Sequence, residues 1–148
     1  MGLKKILIFF LIIIFFIMYK SKKKNKEGKV IYGTDGDDII HCNYGDTVYA
    51  GKGDDTIICS SVNNRDFNLK SQKCTYIDGE GGDDSIKLSG KSSNVIIYGG
   101  VGDDSISAGK ELSKATIHGG SGADTIKLSG KSSNVIIEQD NEDTIIRQ

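Results

Sequence analysis

Proline and tryptophan are absent from this 148-residue chain, and aromatic residues make up 7% of it. Such a composition does not build a compact core from large side chains, although the length leaves room for one modest domain. Cysteine is scarce too. The three, Cys42, Cys59 and Cys74, show no metal-type spacing. The two histidines, His41 and His118, stand alone on outward positions and read as surface residues rather than ligands or bases. No nucleophile is paired with a base, and no glycine run carries a P-loop lysine, so nothing marks an enzyme. Acids are missing from one region only. Residues 1–26 hold seven Lys and no acid, while the rest holds 12 basic and 20 acidic residues, 12 minus 20 giving −8. A domain that acidic, with its carboxylates in register, argues against nucleic acid and for cations.

What the chain has is glycine, 19 residues of it, and repetition. Residues 99–106 read as a tight glycine turn, two carboxylates and the start of a strand. The same pattern recurs at 33–40, 50–57, 79–86 and 119–126, and in worn form at 141–145. The second carboxylates, Asp38, Asp55, Asp84, Asp104, Asp124 and Asp143, are separated by 17, 29, 20, 20 and 19 residues. A period of about 20 residues is the length of one solenoid coil. A later duplication lies on top: residues 86–97 recur letter for letter at 126–137.

Between the turns, polar and β-branched residues alternate with period two, as in Thr125-Ile126-Lys127-Leu128, which predicts strands. Two residues after each second Asp stand Ile40, Ile57, Ile86, Ile106, Ile126 and Ile145; four residues after stand Cys42, Cys59, Leu88, Ala108, Leu128 and Arg147. Before the turns come Ile31, Val48, Ile77, Ile97, Ile117 and Ile137. These columns face inward, and Lys87, Ser107, Lys127, Tyr98 and His118 face out. The fold expected is all-β: a parallel β-roll, or β-solenoid, of about six coils. Its opposite edge turns at 90–94, 109–114 and 130–134, without paired carboxylates and with only a trace of the motif at 43–46. Residues 61–73 read as a surface insertion, and Arg147-Gln148 as the polar end of a capping coil. Cys42 and Cys59 fall in one inward column of adjacent coils, where buried thiols are favoured over a disulfide; Cys74, flanking the insertion, could pair with either. Tyr32, Tyr49 and Tyr98 share an outward column and read as an ordinary β-face.

The turns resemble the G-G-x-G-x-D-x-U-x nonapeptide of hemolysin-type, or RTX, calcium-binding repeats. Residues 99–106 match best. Thr34 and Glu80 replace the second Gly in two copies, and Ala50 replaces the first in another. The resemblance spans about residues 33–145 and implies calcium held between successive turns by turn carbonyls and the sixth-position Asp. Carried over residue by residue, the ligands are Asp38, Asp55, Asp84, Asp104 and Asp124, with Asp143 a weak sixth. The turn glycines Gly33, Gly36, Gly51, Gly53, Gly79, Gly82, Gly99, Gly100, Gly102, Gly119, Gly120 and Gly122 shape the carbonyl cage. About four well-formed sites are expected. Asp37, Asp54, Asp83 and Asp103 face solvent and add field.

Residues 1–28 form a separate unit. Ile6 to Tyr19 is an apolar run of 14 residues, flanked by Lys4 and Lys5 before and a lysine cluster after. As a helix it would span roughly 21 Å, short of a bilayer core about 30 Å thick. It reads as a signal peptide, or as an uncleaved signal anchor, since no small-x-small cleavage site follows it. The lysine balance favours a cytoplasmic repeat domain, whereas calcium modules of this kind work outside the cell; export is the reading adopted. Residues 29–148 are then a secreted or surface-tethered structural or adhesive module, with calcium ions, an unidentified surface partner and, through the first segment, the membrane as its contacts. The alternatives are the accessory repeat tail of an exported hydrolase or epimerase, and an ice-binding solenoid, which the mixed outward columns do not suit.

Overall fold

The computed structural model describes residues 28–60, 75–109 and 111–148. The expected N-terminal hydrophobic helix, the insertion at 61–73 and Cys74 lie outside the described residues. Among those described, no helix is long and apolar enough to cross a membrane.

Among the described residues, twelve strands alternate between two sheets. One holds β1 (Val30–Tyr32), β3 (Thr47–Lys52), β5 (Thr75–Gly81), β7 (Lys91–Val101), β9 (Glu111–Ser121) and β11 (Lys131–Glu138), in that order. The other holds β2 (Ile39–Asn43), β4 (Thr56–Ser60), β6 (Ser85–Ser89), β8 (Ser105–Ala108), β10 (Thr125–Leu128) and β12 (Thr144–Arg147). All pairings are parallel, and each strand pairs with the strand two places on. This is a parallel β-solenoid. Each turn is a rung, and identical columns stack.

The register follows the apolar columns. Ile40, Ile57, Ile86, Ile106, Ile126 and Ile145 are successive partners in one sheet, and Ile31, Val48, Ile77, Ile97, Ile117 and Ile137 in the other. Ile57, Ile77, Ile86, Ile97, Ile106, Ile117 and Ile126 are fully buried. Each contributes roughly 1.5–3 kcal/mol of burial free energy. A one-residue slip would turn every one of them to solvent, so the core itself fixes the register. Lys87, Ser107, Lys127, Tyr98 and His118 face outward, as the alternation requires.

The opposite edge departs from expectation. No loop occupies 90–94 or 130–134: β7 and β11 start at Lys91 and Lys131, and the chain turns a corner inside the strand. Asn94, Lys114 and Asn134 sit there in left-handed backbone, with φ of 54°, 50° and 52°. These are stacked equivalents, skipped between the paired residues on either side. Two of the three are Asn, which tolerates this conformation best among residues with a Cβ.

Two further corrections concern side chains. Cys42 and Cys59, in-register neighbours on β2 and β4, are joined in a disulfide with Cα atoms 4.5 Å apart. The expectation of free thiols treated a shared column as a shared direction, but each χ1 is free to lean toward the other rung. The outward aromatic column is also longer than its in-register members suggest. Rings stack in the order Tyr32, Tyr49, Tyr76, Tyr98 and His118, with centroids 5.4, 5.6, 5.7 and 4.3 Å apart. Tyr76 is two residues off the column, whose member in its rung is Asp78, and its hydroxyl donates to Asp78 Oδ2 at 2.9 Å. Burial, with that carboxylate second, pushes the Tyr76 hydroxyl up to about 12. His118 ends the stack with Nδ1 3.0 Å from Glu138 Oε2.

Candidate metal centre

The glycine-aspartate turns all fall on one edge, where the strands of the first sheet pass into those of the second. The best-preserved turns have glycine at positions 2 and 4 with positive φ: 127° and 134° at Gly100 and Gly102, 122° and 131° at Gly120 and Gly122. Glu80 holds the corresponding place in its own turn at φ 69°, so the turn keeps its shape with a side chain in a conformation that costs about 1–2 kcal/mol. The first-position glycines have a different task. A Cβ at Gly79 would collide with Asp84 Oδ2 and the Gly99 carbonyl; at Gly99, with Asp104 Oδ2 and the Gly119 carbonyl. At Gly119 it would collide with Asp124 Oδ2 and come 3.0 Å from Asp143 Oδ2. Oxygens from two rungs thus crowd a hollow that only glycine leaves open.

The sixth-position carboxylates form a ladder. The backbone N–H of Asp38 donates to Asp55 Oδ1, Asp55 to Asp84, Asp84 to Asp104, Asp104 to Asp124 and Asp124 to Asp143, at 2.7–3.1 Å. One oxygen of each interior carboxylate is thereby used. The other is not: Oδ2 of Asp55, Asp84, Asp104 and Asp124 is buried and has no hydrogen-bond partner among the described residues. These four residues are each 1% exposed. A buried carboxylate oxygen without a donor is a costly arrangement that calls for a compensating charge.

Electrostatics point the same way. Burial, partly offset by the backbone N–H that each accepts and reinforced by neighbouring carboxylates, pushes Asp84 up to about 6 and Asp104 up to about 7. The same causes raise Asp55 and Asp124. The column wants either protons or a cation.

The two end residues differ. Asp38 Oδ2 accepts from Thr34 N at 2.6 Å and Thr34 Oγ1 at 2.9 Å. The threonine that replaces a motif glycine therefore caps its own carboxylate. Asp143 accepts from Asp124 N through Oδ1 and from Asp140 N through Oδ2. Neither has the open oxygen of the interior four.

The fifth-position acids are exposed, but they do more than add field. Asp54 N donates to Asp37 Oδ1, Asp83 N to Asp54, Asp103 N to Asp83 and Ala123 N to Asp103, at 2.8–3.0 Å. This second ladder runs opposite to the first, since here each N–H reaches back to the preceding rung. The acidic doublet was visible in the sequence; the opposed directions of its two ladders were not. The motif trace at 43–46 is structural. Asp46 is buried, and its two oxygens accept from Lys29 N and Asn43 N at 2.8 and 2.9 Å.

The donor set suits a hard cation. Calcium takes six to eight oxygens at 2.3–2.6 Å. Among the described residues no three His, Cys, Asp or Glu side chains converge on one point, so each site would draw at most two side chains and fill its shell from turn carbonyls and water. Asp84 Oδ2 with the Gly99 carbonyl, and Asp104 Oδ2 with the Gly119 carbonyl, supply the start of two such shells.

Fold and edge together define a parallel β-solenoid with a one-sided column of buried carboxylates in glycine turns. The family is given by the repeats: the model of the RTX calcium-binding nonapeptide repeat matches in four copies, at residues 30–41, 43–58, 87–110 and 116–130. The chain carries RTX calcium-binding repeats. The turn at 79–86, with Glu80, falls between the matched copies yet stacks in register with them. Neither the curated proteins nor the solved structures returned a match.

Proposed function

We propose that residues 29–148 bind calcium along the turn edge and that the ions hold the solenoid together. The reading rests on one observation, the four buried Oδ2 atoms of Asp55, Asp84, Asp104 and Asp124 that nothing among the described residues satisfies. A divalent ion beside each would supply the missing charge, with Oδ2 as the side-chain ligand and carbonyls of the stacked turns, those of Gly79, Gly99, Gly100, Gly119 and Gly120 among them, completing the shell. Up to four ions fit this scheme. Asp38 and Asp143 are terminal caps.

The module is structural rather than catalytic, and exported or tethered through residues 1–28. The Cys42–Cys59 disulfide supports export, since such bonds persist in oxidising compartments. Outside the cell, calcium is abundant enough to keep a site of modest affinity filled. Binding free energy then becomes folding free energy. Circular dichroism with excess chelator and with millimolar calcium tests this: calcium should strengthen the β-signal and raise the temperature at which it melts. An identical spectrum in both overturns the reading.

A further inference from the structure

The outer face of the second sheet carries a feature with no part in the carboxylate edge. In its six strands, β2, β4, β6, β8, β10 and β12, there is no Asp or Glu. One outward column there runs His41, Ile58, Lys87, Ser107, Lys127 and Ile146. A groove of about 320 Å³ opens over its middle, toward the edge opposite the turns.

The duplicated segment makes the walls. Lys87-Leu88-Ser89-Gly90 and Lys127-Leu128-Ser129-Gly130 are identical and lie two rungs apart, roughly 9–10 Å. The rung between them, Ser107-Ala108-Gly109, is small and forms the floor. Packing keeps that floor bare: a Cβ at Gly109 would come 3.0 Å from both Gly90 N and Leu88 O. Among the described residues, Lys87 and Lys127 form no ion pair, and the hydroxyls of Ser89, Ser107 and Ser129 have no hydrogen-bond partner. By contrast Lys91, on the other sheet, is engaged by Glu111 at 2.7 Å.

We infer that this groove binds a sulfate or phosphate group, free or carried as an ester, between the ammonium groups of Lys87 and Lys127. Two flexible cations from opposite walls close on one oxyanion, doubly charged as free sulfate and singly charged as a sulfate ester, and the serine hydroxyls donate to its remaining oxygens. Among the described residues, no carboxylate in the strands of this sheet competes for the ammoniums. The groove needs only the folded solenoid and stands apart from the calcium reading.

The test is a titration of the full chain, in calcium, with inorganic sulfate and with glucose 6-sulfate, followed by amide chemical shifts; sodium chloride at matched ionic strength is the control. Saturable shifts at Ser107, Gly109 and Ser129 are expected. The Lys87→Gln/Lys127→Gln double variant should weaken binding about tenfold or more, whereas Lys52→Gln, at the turn edge, should leave it unchanged. Binding of the singly charged sugar ester at least as tight as that of free sulfate would assign the ligand to a sulfated glycan, and weaker binding to the free anion. Shifts that never saturate, that chloride reproduces or that survive in the double variant overturn the inference.

Discussion

The two edges of this solenoid solve the same problem in opposite ways. At both, the chain must pass from one sheet to the other and dispose of its polar groups. The edge opposite the repeats does so within the protein. Asn94, Lys114 and Asn134 turn the corner, the Tyr44 hydroxyl donates to the Ser89 carbonyl at 2.7 Å, and Ser92 donates to that hydroxyl at 2.8 Å. Burial raises the Tyr44 pKa, with the Ser92 bond opposing it, and the buried Asp46 on this edge has both oxygens satisfied by the backbone N–H groups of Lys29 and Asn43. The turn edge instead stacks carboxylates rung on rung and leaves four oxygens open. One edge is satisfied within the fold, and the other buries carboxylate oxygens with no donor among the described residues. Stability that depends on calcium should therefore map onto one side of the molecule.

The largest effect is expected from paired glycine substitutions. Gly99→Ala drives a methyl group into Asp104 Oδ2 and the Gly119 carbonyl. It should cost about 1–3 kcal/mol and remove much of the gain from calcium. Gly90→Ala, at φ 90° with nothing within 4 Å of its new methyl, should cost about 1–2 kcal/mol equally with and without the ion. Thermal unfolding in both conditions separates the two; equal calcium dependence would break the comparison.

Carboxylate neutralisation sharpens it. Asp104→Asn keeps an acceptor for the Asp84 N–H but removes a buried charge. Calcium affinity should fall by about tenfold or more, while the calcium-free protein becomes no less stable. Asp103→Asn, on the exposed ladder, should weaken binding only severalfold. If the two variants behave alike in calorimetry, the division between an ion-binding and a turn-bracing ladder is wrong.

Acid should act in opposite directions on the two states. In the calcium-free fold, Asp84 and Asp104 are raised from 3.8 to about 6 and 7, so protons bind the folded form more tightly than the unfolded one. Their contribution is present in full below about pH 4 and is lost as pH rises through 6 to 7. Calcium binds the ionised form, so its affinity should climb over the same interval and level off above it. Denaturant melts at pH 5 and pH 8, with chelator and with calcium, check both signs. The smallest effect belongs to the first turn: Thr34→Val removes one bond to Asp38, costing about 0.5–1.5 kcal/mol with little change in calcium affinity.

Much of this was legible in the sequence because side-chain period and rung period are both short-range signals. The Ile columns, the parallel stacking and the one-sided turns all follow from counting residues. What escaped depends on direction rather than position. Cys42 and Cys59 were placed as neighbours, but their bond depends on rotamers. The two aspartates of each turn look alike in sequence, yet one reaches forward to a buried hollow and the other back along the surface. Tyr76 joins the ring stack from a position two residues away, because a long side chain can lean across the pleat. That Thr34 donates twice to Asp38 Oδ2 was also invisible, since the substitution reads simply as a lost glycine.

Isothermal titration of the chelator-stripped full chain with calcium is the most direct test. The account predicts saturable heat with no more than about four ions per chain, accompanied by gain of the β-signal, and one ion fewer in Asp104→Asn. Absence of heat, or the same stoichiometry in Asp104→Asn as in the parent chain, would contradict it.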